Sequence, residues 1–168
     1  ELTPTDFPQG ELLFYTSKDG KVKMEIRVED ETIWMSQQMM AELFQTTKQN
    51  ISLHIANITQ CGELQETGTV KENLTVRKEG NRQVQRKVVF YNLDWIISVG
   101  YRVNSIRGTQ FRIWATQRLK EYLIKGFTMD DDRLKGNGGG NYWKELLDRI
   151  RDIRSSEKVL YRQVLDLY

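Results

Sequence analysis

The chain has 168 residues, enough for one packed domain and an appendage, with 39% hydrophobic and 29% charged residues. A net charge of +2 excludes a uniformly basic nucleic-acid binder, so any affinity for DNA must come from local patches. One cysteine and one histidine exclude an internal disulfide and a self-contained Cys/His zinc site, and no apolar run is long enough for a membrane span.

Residues 12–16 and 22–28 predict a β-hairpin around Lys18-Asp19-Gly20-Lys21, because Asp-Gly suits a two-residue turn with positive φ. Met24, Ile26 and Val28 alternate with Lys23, Glu25 and Arg27, which leaves one face wet. Glu29-Asp30-Glu31 makes an acidic turn, and residues 32–35 a short third strand.

Residues 34–58 predict two short helices joined by a tight turn, a shape that fits the major groove of DNA. Ser36 is placed to cap the first helix, where Met39, Met40, Leu43 and Phe44 recur at helical spacing around small Ala41. Gln45 and Thr46 form the break. Glycine usually makes this turn, so a left-handed Gln45 carries strain, and Thr46 is placed to cap the second helix. Ile51, Ile55 and Ile58 form its buried face; Thr47, Lys48, Gln49, Ser52 and Ala56 point outward, a small polar surface for base edges. His54 stands where an aliphatic residue is usual. The rival reading is a plain helical hairpin within a core.

Residues 69–77 and 83–91 predict a second hairpin around Glu79-Gly80-Asn81. Lys71, Arg77, Lys78, Arg82, Arg86 and Lys87 against Glu72 and Glu79 give six minus two, or +4, on one ribbon. A basic ribbon after such a helix pair is a wing suited to the phosphate backbone or minor groove. The alternative is a solvated edge hairpin wearing lysine and arginine against aggregation.

Asn92 is placed to cap a helix holding Trp95, Ile96, Val99 and Tyr101, with Asp94 near its positive end. Residues 104–108 punctuate it. Residues 109–124 then read as a helix on Phe111, Trp114, Ala115, Leu119, Tyr122 and Leu123, ended by Gly126. Between Arg102 and Lys125 six basic residues face Glu121 alone. Asp130-Asp131-Asp132 and the glycine-rich run 136–140 predict a flexible linker. Trp143, Leu146, Ile150, Ile153, Glu157, Leu160, Val164 and Leu167 step by three and four, a heptad seam that predicts a coiled-coil homodimer through residues 141–168. Packing against a downstream domain is the alternative, since the pattern runs to Tyr168 without a stop signal and predicts continuation beyond it.

The chain resembles the virulence-associated RhuM family. The resemblance is carried by Gly10-Glu11-Leu12-Leu13-Phe14-Tyr15, Glu31-Thr32-Ile33-Trp34, Met40-Ala41-Glu42-Leu43-Phe44 and above all Tyr91-Asn92-Leu93-Asp94-Trp95-Ile96-Ile97-Ser98-Val99-Gly100-Tyr101-Arg102-Val103-Asn104-Ser105, continued by Arg107-Gly108-Thr109-Gln110-Phe111-Arg112-Ile113-Trp114-Ala115-Thr116. It covers essentially the whole chain. The helix followed by Phe-Arg-x-Trp is also distantly similar to the N-terminal Bro-type domains of phage antirepressors. The resemblance implies a mobile-element or phage-linked protein with a DNA-binding N-terminal region. Gln45 replaces a glycine, and Leu53 a basic residue, of the family pattern; the second change removes one contact to phosphate or guanine. Gly136-Asn137-Gly138 echoes the motif of Fic-type enzymes, but no histidine loop precedes it and no arginine follows.

No catalytic residue, metal site or cofactor site is predicted. His54 reads as a satisfied, partly buried residue and Cys61 as an inert thiol without a histidine beside it. Asp130–Asp132 reads as a solvated run, and Lys78-Glu79-Gly80-Asn81 lacks the spacing of a phosphate loop.

The sequence therefore predicts an α+β protein: a winged helix-turn-helix-like domain with an N-terminal β-hairpin over residues 1–128, a linker over 129–140, and a long C-terminal helix over 141–168. The expected activity is DNA binding by a cytoplasmic regulator, without enzymatic function. Thr47, Lys48, Gln49 and Ser52 would enter the major groove of double-stranded DNA, and Arg77, Lys78 and Arg82 would meet the backbone. The alternatives are an antirepressor-like protein-interaction module and the accessory domain of an enzyme whose catalytic part lies elsewhere.

Overall fold

A computed structural model describes residues 11–16, 23–29, 32–80, 82–135 and 142–167. The fold is mixed α and β with small antiparallel sheets. Strands β1 (Glu11–Thr16), β2 (Lys23–Glu29) and β3 (Thr32–Ile33) pair in that order, with Glu11 opposite Val28 and Glu29 opposite Thr32. The Asp19-Gly20 turn, Asp30, Glu31 and the side chains of β1 and β2 lie outside the described residues.

At Trp34 the chain changes sheets. The expected third strand is two short ones: β3 stays with β2, while β4 (Met35–Ser36) pairs with β6 (Arg82–Tyr91). Neighbouring residues of a strand point to opposite faces, yet Trp34 and Met35 are 4% and 2% exposed. A strand with one wet face cannot bury both, and Trp34 lies in neither ladder, between the end of β3 and the start of β4.

Two helices follow, α1 (Gln37–Leu43) and α2 (Lys48–Cys61), and then β5 (Val70–Glu79), which pairs with β6 along its whole length. The second sheet has the order β4-β6-β5. Its ribbon closes with Glu79 opposite Arg82, and Gly80 takes φ 62°, a left-handed value that favours glycine.

Helix α3 (Leu93–Arg102) is capped as its sequence dictates: the Asn92 side chain accepts from the Asp94 N–H at 3.1 Å. Helix α4 (Ile106–Lys125) begins before the expected residue 109. The Ser105 hydroxyl accepts from the Gly108 N–H at 2.9 Å and donates to the Phe44 carbonyl at 2.6 Å, so it starts α4 and ties it to the end of α1. Gly108 sits inside the first turn because a Cβ there would lie 2.4 Å from the Val103 carbonyl oxygen. Gly126 ends α4 as expected, with φ 80°.

Among the described side chains the core joins β4, α1, α2, β6 and α3, with Ile33, Val70 and Phe111 packed against it. Met40, Phe44, Ile51, Ile58, Phe90, Trp95, Val99 and Val103 are fully or almost fully buried. Trp95 satisfies its indole N–H on Thr69 Oγ1 at 2.9 Å, and its ring meets Tyr91 edge-on at 5.5 Å between centroids. The Phe111 ring packs edge-on against Phe44 and Tyr101.

The chain divides into two compact units, residues 1–121 and 122–168. In the second, residues 131–134 form a one-turn helix, α5 (Asp131–Leu134), where a structureless acidic run was expected. Asp130 begins it, its carbonyl accepting from the Leu134 N–H, and acidic side chains suit a helix N-terminus. The glycine run 136–140 lies outside the described residues.

The single C-terminal helix is instead α6 (Tyr142–Ser155) and α7 (Glu157–Leu165), parted at Ser156, whose backbone is extended at ψ 110°. Adjacent serines favour such a break: Ser155 donates its hydroxyl to the Asp152 carbonyl, competing with the helical ladder. Among the described residues no helix is long and apolar enough to cross a membrane.

Candidate nucleic-acid interface

The α1–α2 pair is set by its caps. Ser36 Oγ accepts from the Met39 N–H at 3.2 Å, as its sequence position suggests. At the second helix the cap is Thr47 rather than Thr46: Thr47 Oγ1 accepts from the Asn50 N–H at 3.2 Å. Thr46 supports it from the side, its hydroxyl accepting from Asn50 Nδ2 at 2.8 Å. Gln45 makes the turn with φ 50°, and among the described residues it alone has a positive φ without being glycine. The strain expected of this position is therefore present. The far end of α2 closes on Gly62 at φ 72°, with the Glu63 N–H reaching back to the Ile58 carbonyl.

Packing fixes which side of α2 faces outward. Ile51, Ile55 and Ile58 are 0%, 6% and 0% exposed, and burying each such side chain stabilises the fold by about 1.5–3 kcal/mol. Thr47, Lys48, Gln49, Ser52 and Ala56 are all exposed, as is Leu53 at 58%. Lys48 is thus the only cation on this helix.

The C-terminal end of α2 is pinned to α3. Arg102 and Ser98 both donate to the Glu63 carboxylate, and Arg102 also reaches the Ser98 carbonyl at 3.1 Å. The Arg102 hydrogen bond, then that from Ser98, holds the Glu63 carboxyl below its usual range, while Glu63 raises the Arg102 guanidinium. His54, half-buried nearby, is held below the ordinary imidazole range by desolvation and then by the Arg102 charge. Its Nε2 is enclosed and has no hydrogen-bond partner among the described residues, so the expectation of a satisfied histidine fails at this atom. Cys61 is exposed and free.

On the ribbon, the register sorts the basic residues. Lys71 pairs with Phe90, Arg77 with Val84 and Glu79 with Arg82, whereas Leu74 pairs with Lys87 and Lys78 with Gln83. Since faces alternate along a strand, positions 71, 77, 82 and 86 share one face and positions 78 and 87 the other. The three expected wing residues are therefore split: Arg77 and Arg82 lie together, and Lys78 on the opposite face. Arg86 joins Arg82, a partnership visible in the sequence once the register of the turn is known. The side chains of Arg77 and Lys78 lie outside the described residues. Lys71 lies over the Trp34 ring, 4.3 Å from its centroid, and Lys87 pairs with Glu72 at 3.3 Å, so these two cations already have partners.

The long block 91–105 is explained by architecture. Tyr91, Trp95 and Val99 fill the core, Asn92 caps α3, and Ser98 and Arg102 hold Glu63. Gly100 admits the Phe111 and Phe44 rings, which a Cβ would meet at 2.6 Å and 2.9 Å. Arg112 closes the helix, donating to the Gly100 and Val103 carbonyls at 3.2 Å and 2.7 Å.

A chain with this scaffold, a capped helix pair followed by a basic ribbon and a tightly specified helix, falls within a described class. It belongs to the RhuM virulence protein family, whose model matches residues 68–168. The match spans β5, β6 and every later element; α1, α2 and the residues 10–44 that also carried the resemblance lie before it. Neither the curated proteins nor the solved structures gave a match.

Proposed function

We propose that this protein is a winged helix-turn-helix DNA-binding regulator of the mobile-element or phage-linked kind, acting in the cytoplasm. Thr47, Lys48, Gln49 and Ser52 enter the major groove, and Arg77, Lys78 and Arg82 meet the sugar-phosphate backbone. The observation that carries this reading is the placement of α1 and α2 between β4 and β5 of one three-stranded sheet. That placement leaves the polar side of α2 exposed in the same unit as a ten-residue basic ribbon. The reading includes a homodimer through residues 141–168, supported by Trp143, Ile150 and Ile153, which α6 leaves 51%, 42% and 60% exposed. A gel shift of the protein on pooled genomic DNA at low salt tests it: a retarded band is expected, and its absence removes the proposal.

A second reading is favoured by Leu53, 58% exposed on a helix face whose only cation is Lys48. That surface suits an antirepressor-like module that grips another protein. Reversing Arg77, Lys78 and Arg82 to glutamate separates the two: DNA retention collapses under the first reading, while capture of a protein partner survives under the second.

A further inference from the structure

Strand β5 is the outer strand of its sheet, and among the described residues it pairs with β6 alone. Its free edge is long, β5 having 10 residues, and Leu74 and Val76 stand 66% and 57% exposed on it. An edge of this length with two bare apolar residues is a template for another strand.

The backbone says which residues offer that template. A pair flanking a two-residue turn exchanges hydrogen bonds, Glu79 and Arg82 hold that position here, and the pattern alternates down the ladder. At the base the Asn92 N–H donates to the Thr69 carbonyl at 3.0 Å, in phase with that alternation. Odd-numbered residues of β5 therefore turn their backbone groups toward β6, and even-numbered residues turn theirs to the open edge.

We propose that the β5 edge pairs with β5 of a second copy of this chain, antiparallel about a two-fold axis through Thr75. The argument is self-complementarity. In that register Glu72 falls opposite Lys78 of the other copy, Lys71 opposite Glu79, and Leu74 opposite Val76, each pair occurring twice. All outward-facing even residues meet even residues, as an antiparallel ladder requires. Shifting the pair sum by two in either direction loses both charge pairs, and the lower sum also sets Lys71 against Arg77, like against like. The contact leaves the face holding positions 82 and 86 uncovered. It uses residues of β5 alone and requires no nucleic acid.

The test uses the full chain without DNA. In a Cys61→Ser background, Thr75→Cys places two thiols at a non-hydrogen-bonded strand pair, about 4.5 Å between Cα atoms and within disulfide reach. Under diamide it forms a covalent dimer at least tenfold faster than Leu53→Cys in the same background. Equal rates overturn the proposal. Charge reversal gives the second readout, in the same Thr75→Cys crosslinking assay. Glu72→Lys and Lys78→Glu singly each slow covalent dimer formation at least tenfold, and the double variant, which restores opposite charges in trans, recovers it. Single variants that crosslink at the parent rate, or a double variant that stays slow while its circular dichroism matches the parent, overturn it as well.

Discussion

Arg102 of α3 donates to the carboxylate of Glu63, the residue just beyond the glycine that ends α2. This ion pair fixes the far end of the proposed reading helix to the scaffold. Both side chains are partly exposed, at 30% and 40%, so solvent screening limits the pair to about 0.2–1 kcal/mol. Glu63 has a folded pKa depressed below its unfolded value; its contribution is complete above the ordinary carboxylate range and is lost as pH falls through the depressed value. Glu63→Gln therefore lowers stability modestly at pH 7 and less at acid pH, a convergence that urea melts at both values check.

His54 acts in the next pH window. Its imidazole is held low, so the folded state takes up its proton less readily than the unfolded chain. Stability accordingly falls as pH drops below the ordinary histidine value of about 6.5, down to the depressed folded value. His54→Leu removes this slope and, by replacing an enclosed nitrogen without a partner, raises stability at pH 7 by about 1 kcal/mol. Thermal melts between pH 5 and pH 7.5 distinguish the two proteins.

Gln45 at φ 50° stores strain that glycine would not. Gln45→Gly stabilises the fold by about 1 kcal/mol, the left-handed penalty less the added freedom of the unfolded chain. DNA retention stays unchanged, since the residue lies before the polar face of α2.

Gly100→Ala is expected to be severe. Its new Cβ would press on Phe111 and Phe44 at under 3 Å, both rings of the packed interior. Overpacking of this kind costs about 1–3 kcal/mol, read as a lowered urea midpoint with an unchanged slope.

Much of this fold is legible in the sequence where a local interaction decides the structure. The Ser36 and Asn92 caps, the strained Gln45, the isoleucine face of α2 and the Gly80 turn depend on residues no more than four positions from the next. What escaped depends on partners or on near-balanced competition. The sheet change at Trp34 follows from burial on both sides of the strand, which no alternation of residue types records. Thr46 and Thr47 are chemically equal capping candidates, and only backbone geometry gives the role to Thr47. At Ser156 a continuous heptad pattern hides a break, because periodicity measures the apolar stripe and not the serine hydroxyls beside it.

The candidate site is legible in the same uneven way. Thr47, Lys48, Gln49 and Ser52 are exposed as anticipated, yet the split of Arg82 and Lys78 between ribbon faces needs the register. An expected consequence is asymmetry: Arg82→Glu weakens DNA retention more than Lys87→Glu, whose cation is already paired with Glu72. Fluorescence anisotropy on one duplex, comparing these variants at fixed salt, checks the order.

The salt dependence of DNA affinity tests the central claim most directly. With about four phosphates neutralised, log affinity falls against log salt with a slope of roughly −3.6. Replacing Arg77, Lys78 and Arg82 by glutamate flattens the slope and abolishes binding at about 150 mM salt. A parent protein whose affinity is independent of salt, or a triple variant that binds as the parent does, contradicts the account.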